Sequence, residues 1–277
     1  MEIKRIAIIG TGSMGGAILS GLLRSGFSPD AISVSTKTTA SAEKLSDEFG
    51  VLSYAMENGD DANQMAVAGS NVVLIGVKPA YVIEVLRDIA DTLDDNALVI
   101  SVAAGVTTSA MESVLPDDVG VVRAMPNTPA IVGRALTGLA AGSRATDWAM
   151  DTAQELFETV GKVLRVNENR IDELSTISGS GPAYVFLLIE EFSAAAKSMG
   201  FSDAEAALLV NETFLGAIEL LIKSGETPEA LRRQVTSPNG TTERAIAVMQ
   251  SADLRKVFTD ATKAALARAK ELAAGQS

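Results

Sequence analysis

The residues with the clearest chemical potential form a glycine cluster near the start of the chain, in the segment RIAIIGTGSMGG. Residues 5–9 are a nearly continuous apolar, β-branched run, which predicts a buried strand of a parallel sheet. Gly10, Gly12 and Gly15 follow at the G-x-G-x-x-G spacing. Such glycines permit a tight turn, close approach of a pyrophosphate, and close packing of helix on strand. The spacing alone also occurs in structural turns, but the amphipathic continuation favours a nucleotide site on the helix amides.

Two motifs in the second half of the chain could also bind a ligand. SGSGPAY (residues 178–184) is a small-residue turn that enters a helix at Pro182, and it indicates either a plain helix start or close approach of a ligand. TSPNGTTERA (residues 236–245) brings Thr241 and Thr242 to the head of a helix. Free amides, hydroxyls and the helix dipole there would bind a small carboxylate, although an N-cap without a ligand is the alternative.

The composition excludes several kinds of chemistry. Histidine and cysteine are both absent, so thiol nucleophiles, thiolate metal sites and the commonest general acid/base are excluded, and we expect no metal. The net charge of −12 argues against nucleic acid or an anionic membrane as a partner. No apolar run reaches the roughly 20 residues that span a bilayer, and a strand begins directly at the N-terminus. We therefore expect a cytoplasmic protein with a small-molecule substrate.

The order of the predicted elements indicates two domains. The first half alternates β-branched runs with helical stretches, which is typical of βαβ units in a parallel sheet. We predict further strands at 32–35, 72–77, 97–102, 119–124 and 136–141, an edge strand at 161–166, and helices at 41–49, 80–93, 109–114 and 147–160. From Glu168 the strand-like runs disappear, and helices are predicted at 182–199, 203–224, 228–234, 242–249 and 253–274. The fold class is α/β, a Rossmann-like dinucleotide-binding domain over residues 1–167 followed by an all-α dimerisation domain over residues 168–277.

The dimerisation role follows from the apolar faces of the helical half. Residues 183–192 and 206–222 are apolar on more than one face. A helix of that kind requires burial on all sides, which a small helical domain cannot easily provide alone. We therefore expect it to pack against a second copy of the chain.

The end of the predicted second strand indicates which nicotinamide cofactor is bound. A free ribose 2′-hydroxyl is usually held there by an acidic residue. Asp30 precedes the strand and so lies at the wrong end of the sheet. Residues 35–38 (STKT) follow it, and their hydroxyls and single cation suit a 2′-phosphate. These residues favour NADPH, with NADH possible but weaker; the alternative is a polar loop that discriminates poorly.

Three other segments end strands at the same carboxyl edge, where ligands bind in open α/β sheets. GVKPA (residues 76–80) starts a helix at Pro79, and Lys78 faces either the cofactor or solvent. SVAAGV (residues 101–106) offers small residues against which a flat nicotinamide ring can lie. MPNTPA (residues 125–130) is a loop stiffened by two prolines.

In combination, these motifs resemble the pyrroline-5-carboxylate reductase family, whose members carry out the last step of proline biosynthesis. The matching stretches are GTGSMG at Gly10, VKP at Val77, AAGV at Ala103, MPNTP at Met125, SGSGPAY at Ser178 and VTSPNGTT at Val235, in the family's order. The last two together are the specific ones. Asn239 departs from the family, which usually has glycine there, but asparagine tolerates a left-handed backbone and we expect the turn to survive.

The resemblance implies two sets of site residues. Cofactor contacts are implied for Ile9, Gly10, Thr11, Gly12, Ser13, Met14, Ser35, Thr36, Asn63, Gly76, Val77, Lys78, Pro79, Val102, Ala103 and Ala104. Substrate contacts are implied for Glu168, Gln234, Thr241 and Thr242, with Thr242 closest to the reacting ring and catalytic. The resemblance also implies a homodimer or higher homo-oligomer, in which the substrate loop of one subunit faces the cofactor of the other.

The implied chemistry is compatible with the missing residue types. Reduction of a ketone leaves an alkoxide that needs a strong proton donor, whereas a cyclic imine can arrive protonated and yields a neutral amine, so that orientation carries most of the catalysis. Thr242 would hydrogen-bond the ring nitrogen or pass it a proton, while Thr241 and nearby amides would hold the carboxylate.

Two alternative functions remain. One is a 6-phosphogluconate-type dehydrogenase, for which Lys197 and Lys223 are poorly placed near helix ends, and the other is an NADP-binding sensor without activity.

Overall fold

The computed structural model describes residues 2–274, which divide into two compact units. The first unit contains the chain up to Ser180 together with its end from Ala265, and the second contains residues 181–264. By packing, the segment 168–180 belongs with the sheet of the first unit. The predicted domain boundary between residues 167 and 168 stays a prediction.

The first unit is built on one eight-stranded sheet with the order β3-β2-β1-β4-β5-β6-β7-β8. The strands are β1 Ile6–Ile9, β2 Ile32–Thr36, β3 Leu52–Ala55, β4 Val72–Ile75, β5 Leu98–Ser101, β6 Gly120–Met125, β7 Ala135–Ala141 and β8 Gly161–Arg165. The helices are α1 Ser13–Arg24, α2 Thr39–Phe49, α3 Ala62–Val67, α4 Val82–Ile89, α5 Thr108–Glu112, α6 Asp147–Glu158 and α7 Ile171–Leu174. The predicted doubly covered sheet is confirmed.

Side-chain alternation along the buried strands gives the sheet two apolar cores. Ile6 and Ile8 of β1 face one side, where they pack with residues of α1 and α6. Ala7 and Ile9 face the other side, in a cluster with residues of α4 and α5. Because successive residues of a strand point to opposite faces, a nearly continuous apolar strand is the pattern that a sheet covered on both faces requires.

Two features of the sheet differ from the sequence prediction. Strand β3 and helix α3 were not predicted, because β3 is a short edge strand whose residues are largely half-buried or exposed. The prediction of an all-parallel sheet is wrong at β7, which pairs antiparallel with β6. The connection over residues 126–134 is shorter than the dozen or so residues that a parallel crossover needs, so the chain reverses direction. Strand β8, predicted as an edge strand, lies at the edge, parallel to β7.

The second unit is helical, as predicted. It contains α8 Gly181–Ser198, α9 Asp203–Ser224, α10 Pro228–Gln234, α11 Thr241–Ser251 and the start of α12 Leu254–Ala274. A capping box begins α9, in which Glu205 accepts hydrogen bonds from the Ser202 hydroxyl at 2.7 Å and from its backbone N–H at 2.9 Å. These two hydrogen bonds lower the pKa of Glu205.

Large apolar side chains of α8 and α9 lie on the surface of this unit, among them Phe186, Leu208 and Ile222, which are 66%, 64% and 70% exposed. Exposed apolar surface of this extent marks an interaction site.

Within residues 2–274, none of the helices combines the length and apolar character needed to cross a membrane. In that same range, His, Cys, Asp and Glu side chains do not group in threes as a metal site would require.

Candidate active site

The glycine turn after β1 packs closely on the end of β4. Gly10 has a left-handed backbone with φ +86°, and a Cβ on it would lie 2.8 Å from the backbone nitrogen of Val77. A Cβ on Gly15 or on Gly76 would lie 2.5 Å from the carbonyl oxygen of Gly10. Because backbone meets backbone at these points, no larger residue fits without movement. The turn therefore has the close packing that the G-x-G-x-x-G spacing predicts.

Gly12 is different, because the described part of the chain places nothing within 4 Å of the position its Cβ would take. It is the N-cap residue of α1, which has neither a side-chain cap nor an acidic residue in its first turn, as far as residues 2–274 show. The adjacent Thr11 hydroxyl is buried without a hydrogen-bond partner in the same residues. An open cradle, free helix amides and an unpartnered hydroxyl fit the pyrophosphate of a dinucleotide.

The remaining residues of this predicted segment contribute backbone more than side chains. Ile9 is buried at the end of β1, and its carbonyl accepts the N–H of Gly76 at 2.7 Å. Met14 packs its side chain against the apolar core, while Ser13 begins α1 and is exposed. The structure thus brings residues 9–14 together around the open space beside Gly12.

The end of β2 carries the residues predicted to discriminate between cofactors. The buried Ser35 hydroxyl donates to the side-chain oxygen of Asn63 at 2.7 Å, and the Asn63 amide donates to Asp88 at 3.2 Å. Thr36 donates its hydroxyl to the backbone carbonyl two residues on, at 2.9 Å. Three predicted cofactor contacts therefore lie in one small region, with the exposed side chain of Lys37 next to them.

A cavity of about 380 Å³ lies at the carboxyl edge of the sheet, within the first unit. Pro79 and Ala104, both predicted to contact the cofactor, line it together with Gly105 and Met125. Its volume is in the range of cavities that take small ligands. The cavity lies where open α/β sheets bind their ligands, and small residues there leave room for a flat ring.

Three other predicted cofactor residues flank this cavity. Val102 is half-buried and donates its backbone N–H to the carbonyl of Ile75 at 3.1 Å, and Ala103 is buried below the surface. Lys78 is exposed, which is compatible with either of its two predicted orientations.

Glu168 is held by the sheet unit through both of its carboxylate oxygens. Oε1 accepts the backbone N–H of Thr108 and Oε2 accepts its hydroxyl, each at 2.7 Å. The guanidinium of Arg123 lies 3.7 Å from Oε1 and donates to Asp172 at 2.7 Å. These bonds explain the position of Glu168 without a substrate, so its predicted substrate contact stays a prediction.

The other predicted substrate residues belong to the helical unit. Asn239 has φ +59°, the left-handed conformation expected where relatives have glycine, and its N–H is bonded to Glu243 at 2.9 Å. The turn leads into α11, where Thr241 and Thr242 are the first two residues and Gly240 is the N-cap without a side-chain bond in the described chain. Gln234 ends α10 and is exposed. The two threonines thus lie at a helix N-terminus, as the sequence predicts, and Glu243 lies in the same first turn.

The sequence analysis did not single out two polar side chains that project from β6 and the loop after it. Arg123 is almost completely buried, with 4% of its side chain exposed, and it joins β6 to α7 through Asp172. Asn127 joins the MPNTP loop to the turn before α8. The available signals were a single charged residue inside an apolar strand, and a side-chain amide in a loop that was noted only for its prolines.

Comparison with known proteins finds one family match in the first part of the chain and another in the second part. The family described as "Pyrroline-5-carboxylate reductase dimerisation" matches residues 168–272, and that described as "NADP oxidoreductase coenzyme F420-dependent" matches residues 5–105. A pyrroline-5-carboxylate reductase from Corynebacterium melassecola is 36% identical over 270 residues, which cover 96% of this chain and 98% of the relative.

Solved structures agree with the sequence relatives. A pyrroline-5-carboxylate reductase from Coxiella burnetii has a TM-score of 0.91 and 36% identity, with 98% of this chain and 99% of that chain covered. A Plasmodium falciparum pyrroline carboxylate reductase with NADP bound has a TM-score of 0.83 and covers 99% of both chains. At 23% identity, this structural likeness shows only that the fold is shared.

Proposed function

The chain belongs to the pyrroline-5-carboxylate reductase family, and we propose that it performs this reaction with NADPH bound at the glycine turn and the substrate bound at the head of α11. It is an oxidoreductase that reduces the cyclic imine 1-pyrroline-5-carboxylate to proline, the last step of proline biosynthesis. The observation that carries this conclusion is the similarity to such reductases over nearly the whole chain, at 36% identity. Both ligand motifs fall within the aligned length.

The chain's own residues bind and orient the reactants. The amides of residues 12–14 and the hydroxyl of Thr11 would hold the pyrophosphate, because within residues 2–274 α1 has no side-chain cap and the Thr11 hydroxyl has no hydrogen-bond partner. Pro79 and Ala104 would hold the nicotinamide ring. When bound, NADPH supplies a hydride from C4 of that ring. Thr241 and the adjacent amides would bind the substrate carboxylate, and Thr242 would hydrogen-bond the ring nitrogen or pass it a proton.

The preference for NADPH over NADH is proposed from the end of β2. Lys37 is an exposed cation in the position where a 2′-phosphate would lie, and no acidic residue occupies residues 35–38. The carboxylate of Glu57 accepts the N–H of Thr39 nearby at 2.9 Å, so the charge at this edge is mixed. We therefore expect NADH to be used more weakly but not excluded.

We also propose that the active form is a homodimer or a larger assembly of dimers. The support is the match to a dimerisation family over residues 168–272 together with the exposed apolar side chains of α8 and α9. The predicted cytoplasmic location stays a prediction.

The direct test is an assay of cofactor oxidation by the purified protein. When 1-pyrroline-5-carboxylate is added, the absorbance of the reduced nicotinamide ring should fall as NADPH is oxidised. One molecule of proline should form for each NADPH consumed. NADH should support a slower reaction, and a 2-ketoacid none. Cofactor binding without turnover of the imine would contradict the proposal and favour the sensor alternative, whereas turnover of a hydroxyacid would favour the dehydrogenase alternative.

A further inference from the structure

The cavity at the carboxyl edge has a second wall, whose residues have no role in the function proposed above. Between α7 and α8 the chain makes a π-helical turn over Ser175–Gly179, which we call the π-turn, and the N–H of Ser180 bonds the carbonyl of Ser175 at 2.9 Å. Ser175, Thr176 and Ser180 line the same cavity as Pro79 and Ala104. Single π-turns within helices are rare and frequently occur at functional sites. The π-turn and Ser180 therefore form part of the cavity wall.

The π-turn has a backbone group that the helix cannot satisfy in the usual way. The carbonyl of Ser178 would normally accept the N–H of the residue four positions on, which is Pro182 and has no N–H. The residue is buried, so a missing partner would be costly. The side-chain amide of Asn127 supplies the donor, with its Nδ2 at 2.9 Å from the Ser178 oxygen.

The same side chain is fixed at its other end. The Oδ1 atom of Asn127 accepts the backbone N–H of Leu136, at the start of β7, at 3.0 Å. Donor and acceptor of one amide are thus both used, which fixes the orientation of the side chain. Asn127 thus connects the π-turn to the loop after β6 and to the first residues of β7, and so holds the π-turn close to the edge of the sheet.

We infer that Asn127 is a positioning residue for imine reduction, because it holds the π-turn wall at the spacing in which cofactor ring and substrate ring meet. This inference rests on the proposed function. Asn127 acts through the π-turn and touches neither reactant. A small displacement of reacting groups lowers the rate strongly, so loss of this tether should affect catalysis more than it affects cofactor binding.

The chain contains a matched control for this tether. Asn71 lies just before β4, at the amino ends of the parallel strands. It donates its amide to the carbonyl of Glu2 at 2.8 Å and accepts the N–H of Lys4 at 2.9 Å. Asn127→Asp and Asn71→Asp each remove one partly buried amide donor to a backbone carbonyl and keep the acceptor and nearly the same side-chain volume. Both substitutions should lower the melting temperature.

Only Asn127→Asp should change the kinetics. We expect its kcat/KM for the imine to fall about tenfold or more, with the Kd for NADPH within about twofold of wild type, while Asn71→Asp keeps both parameters within about twofold. Equal kinetics of the two variants would overturn the inference. An inactive wild-type protein would instead contradict the proposed function itself.

A second variant tests the π-turn without touching Asn127. A Cβ on Gly179 would lie 2.9 Å from the hydroxyl oxygen of Ser175, a side chain that lines the cavity and can rotate away. Gly179→Ala should therefore reduce kcat/KM in the same direction as Asn127→Asp, by a smaller factor, with NADPH binding retained. If Asn127→Asp does not fold, Gly179→Ala decides alone, and an unchanged kcat/KM in that variant would overturn the inference.

Discussion

At the scale of single residues, the proposed chemistry depends on one hydroxyl. With histidine and cysteine absent, Thr242 at the start of α11 is the proposed group nearest the reacting nitrogen. Replacement by valine removes the hydroxyl and keeps the branched shape. We expect Thr242→Val to lower kcat by about 100-fold or more, because a side chain positioned for proton transfer contributes on the order of 10²- to 10⁴-fold, and to leave NADPH binding unchanged. Steady-state kinetics and cofactor titration measure the two effects.

The conservative change at the same position is the control. Thr242→Ser keeps the hydroxyl and should retain most of the turnover. Full activity of Thr242→Val would contradict the role proposed for the Thr242 hydroxyl.

The proposed cofactor discrimination also depends on a single side chain. The hydroxyls of Ser35 and Thr36 are engaged in internal hydrogen bonds, so Lys37 is the group left to interact with a 2′-phosphate. We expect Lys37→Glu to raise the KM for NADPH about tenfold, since it replaces attraction by repulsion, and to leave the KM for NADH nearly unchanged. The ratio of kcat/KM for NADPH to kcat/KM for NADH measures this change in preference. A constant ratio would mean that the loop does not discriminate, which was the alternative reading of this segment.

The sequence could place individual site residues where their chemistry is local. Gly10, Gly12 and Asn239 were recognisable because backbone freedom and turn chemistry depend on residue type. Glu168 was not interpretable in this way, because its partners Thr108 and Arg123 are distant in sequence and only the fold brings them together. Asn127 was missed for the same reason.

At the scale of elements, the junction of β1 and α1 separates packing from ligand binding. Gly12 has open space where a side chain would project, whereas Gly15 contacts backbone. We therefore expect Gly12→Ala to fold with a melting temperature within a few degrees of wild type, but to weaken NADPH binding roughly tenfold or more, because the methyl group occupies the place of the pyrophosphate. Calorimetry of unfolding and of cofactor binding measure the two effects.

Gly16 of the same helix is the matched control. Its Cβ would meet only the Thr11 carbonyl oxygen, at 4.0 Å, within the described chain. Gly16→Ala should leave NADPH binding intact and stabilise the protein by about 0.5–1 kcal/mol through helix propensity. If Gly12→Ala binds NADPH as tightly as Gly16→Ala does, the pyrophosphate is not held at this turn.

Most elements could be predicted because their hydrophobic patterns are long or continuous. The core strands and helix α9 were predicted within a few residues. The exceptions have physical causes: β3 is half exposed and short, α3 is only one and a half turns, and the π-turn depends on tertiary hydrogen bonds rather than on local sequence. The reversal at β7 depends on connection length, which propensity does not report.

At the scale of the whole molecule, the two proposed ligand motifs lie in different units, which leads us to expect that assembly is needed for activity. The glycine turn and the cavity belong to the first unit, while Thr241 and Thr242 belong to the second. Helices α8 and α9 expose apolar side chains that a stable protein in water would normally cover. Association of two copies through these helices would cover them.

A charge placed on this apolar surface tests the assembly. Leu215, in the middle of α9, is 55% exposed, and Leu52 on the edge strand β3 is 47% exposed. We expect Leu215→Glu to shift the protein from dimer to monomer in sedimentation velocity, because an unpaired carboxylate would be buried at the interface. Leu52→Glu should remain dimeric. Since the first unit alone carries the cofactor cradle, the monomeric variant should still bind NADPH but lose imine reduction. A monomer with full activity would show that one chain contains a complete site, and would contradict the exchange of the substrate loop between subunits.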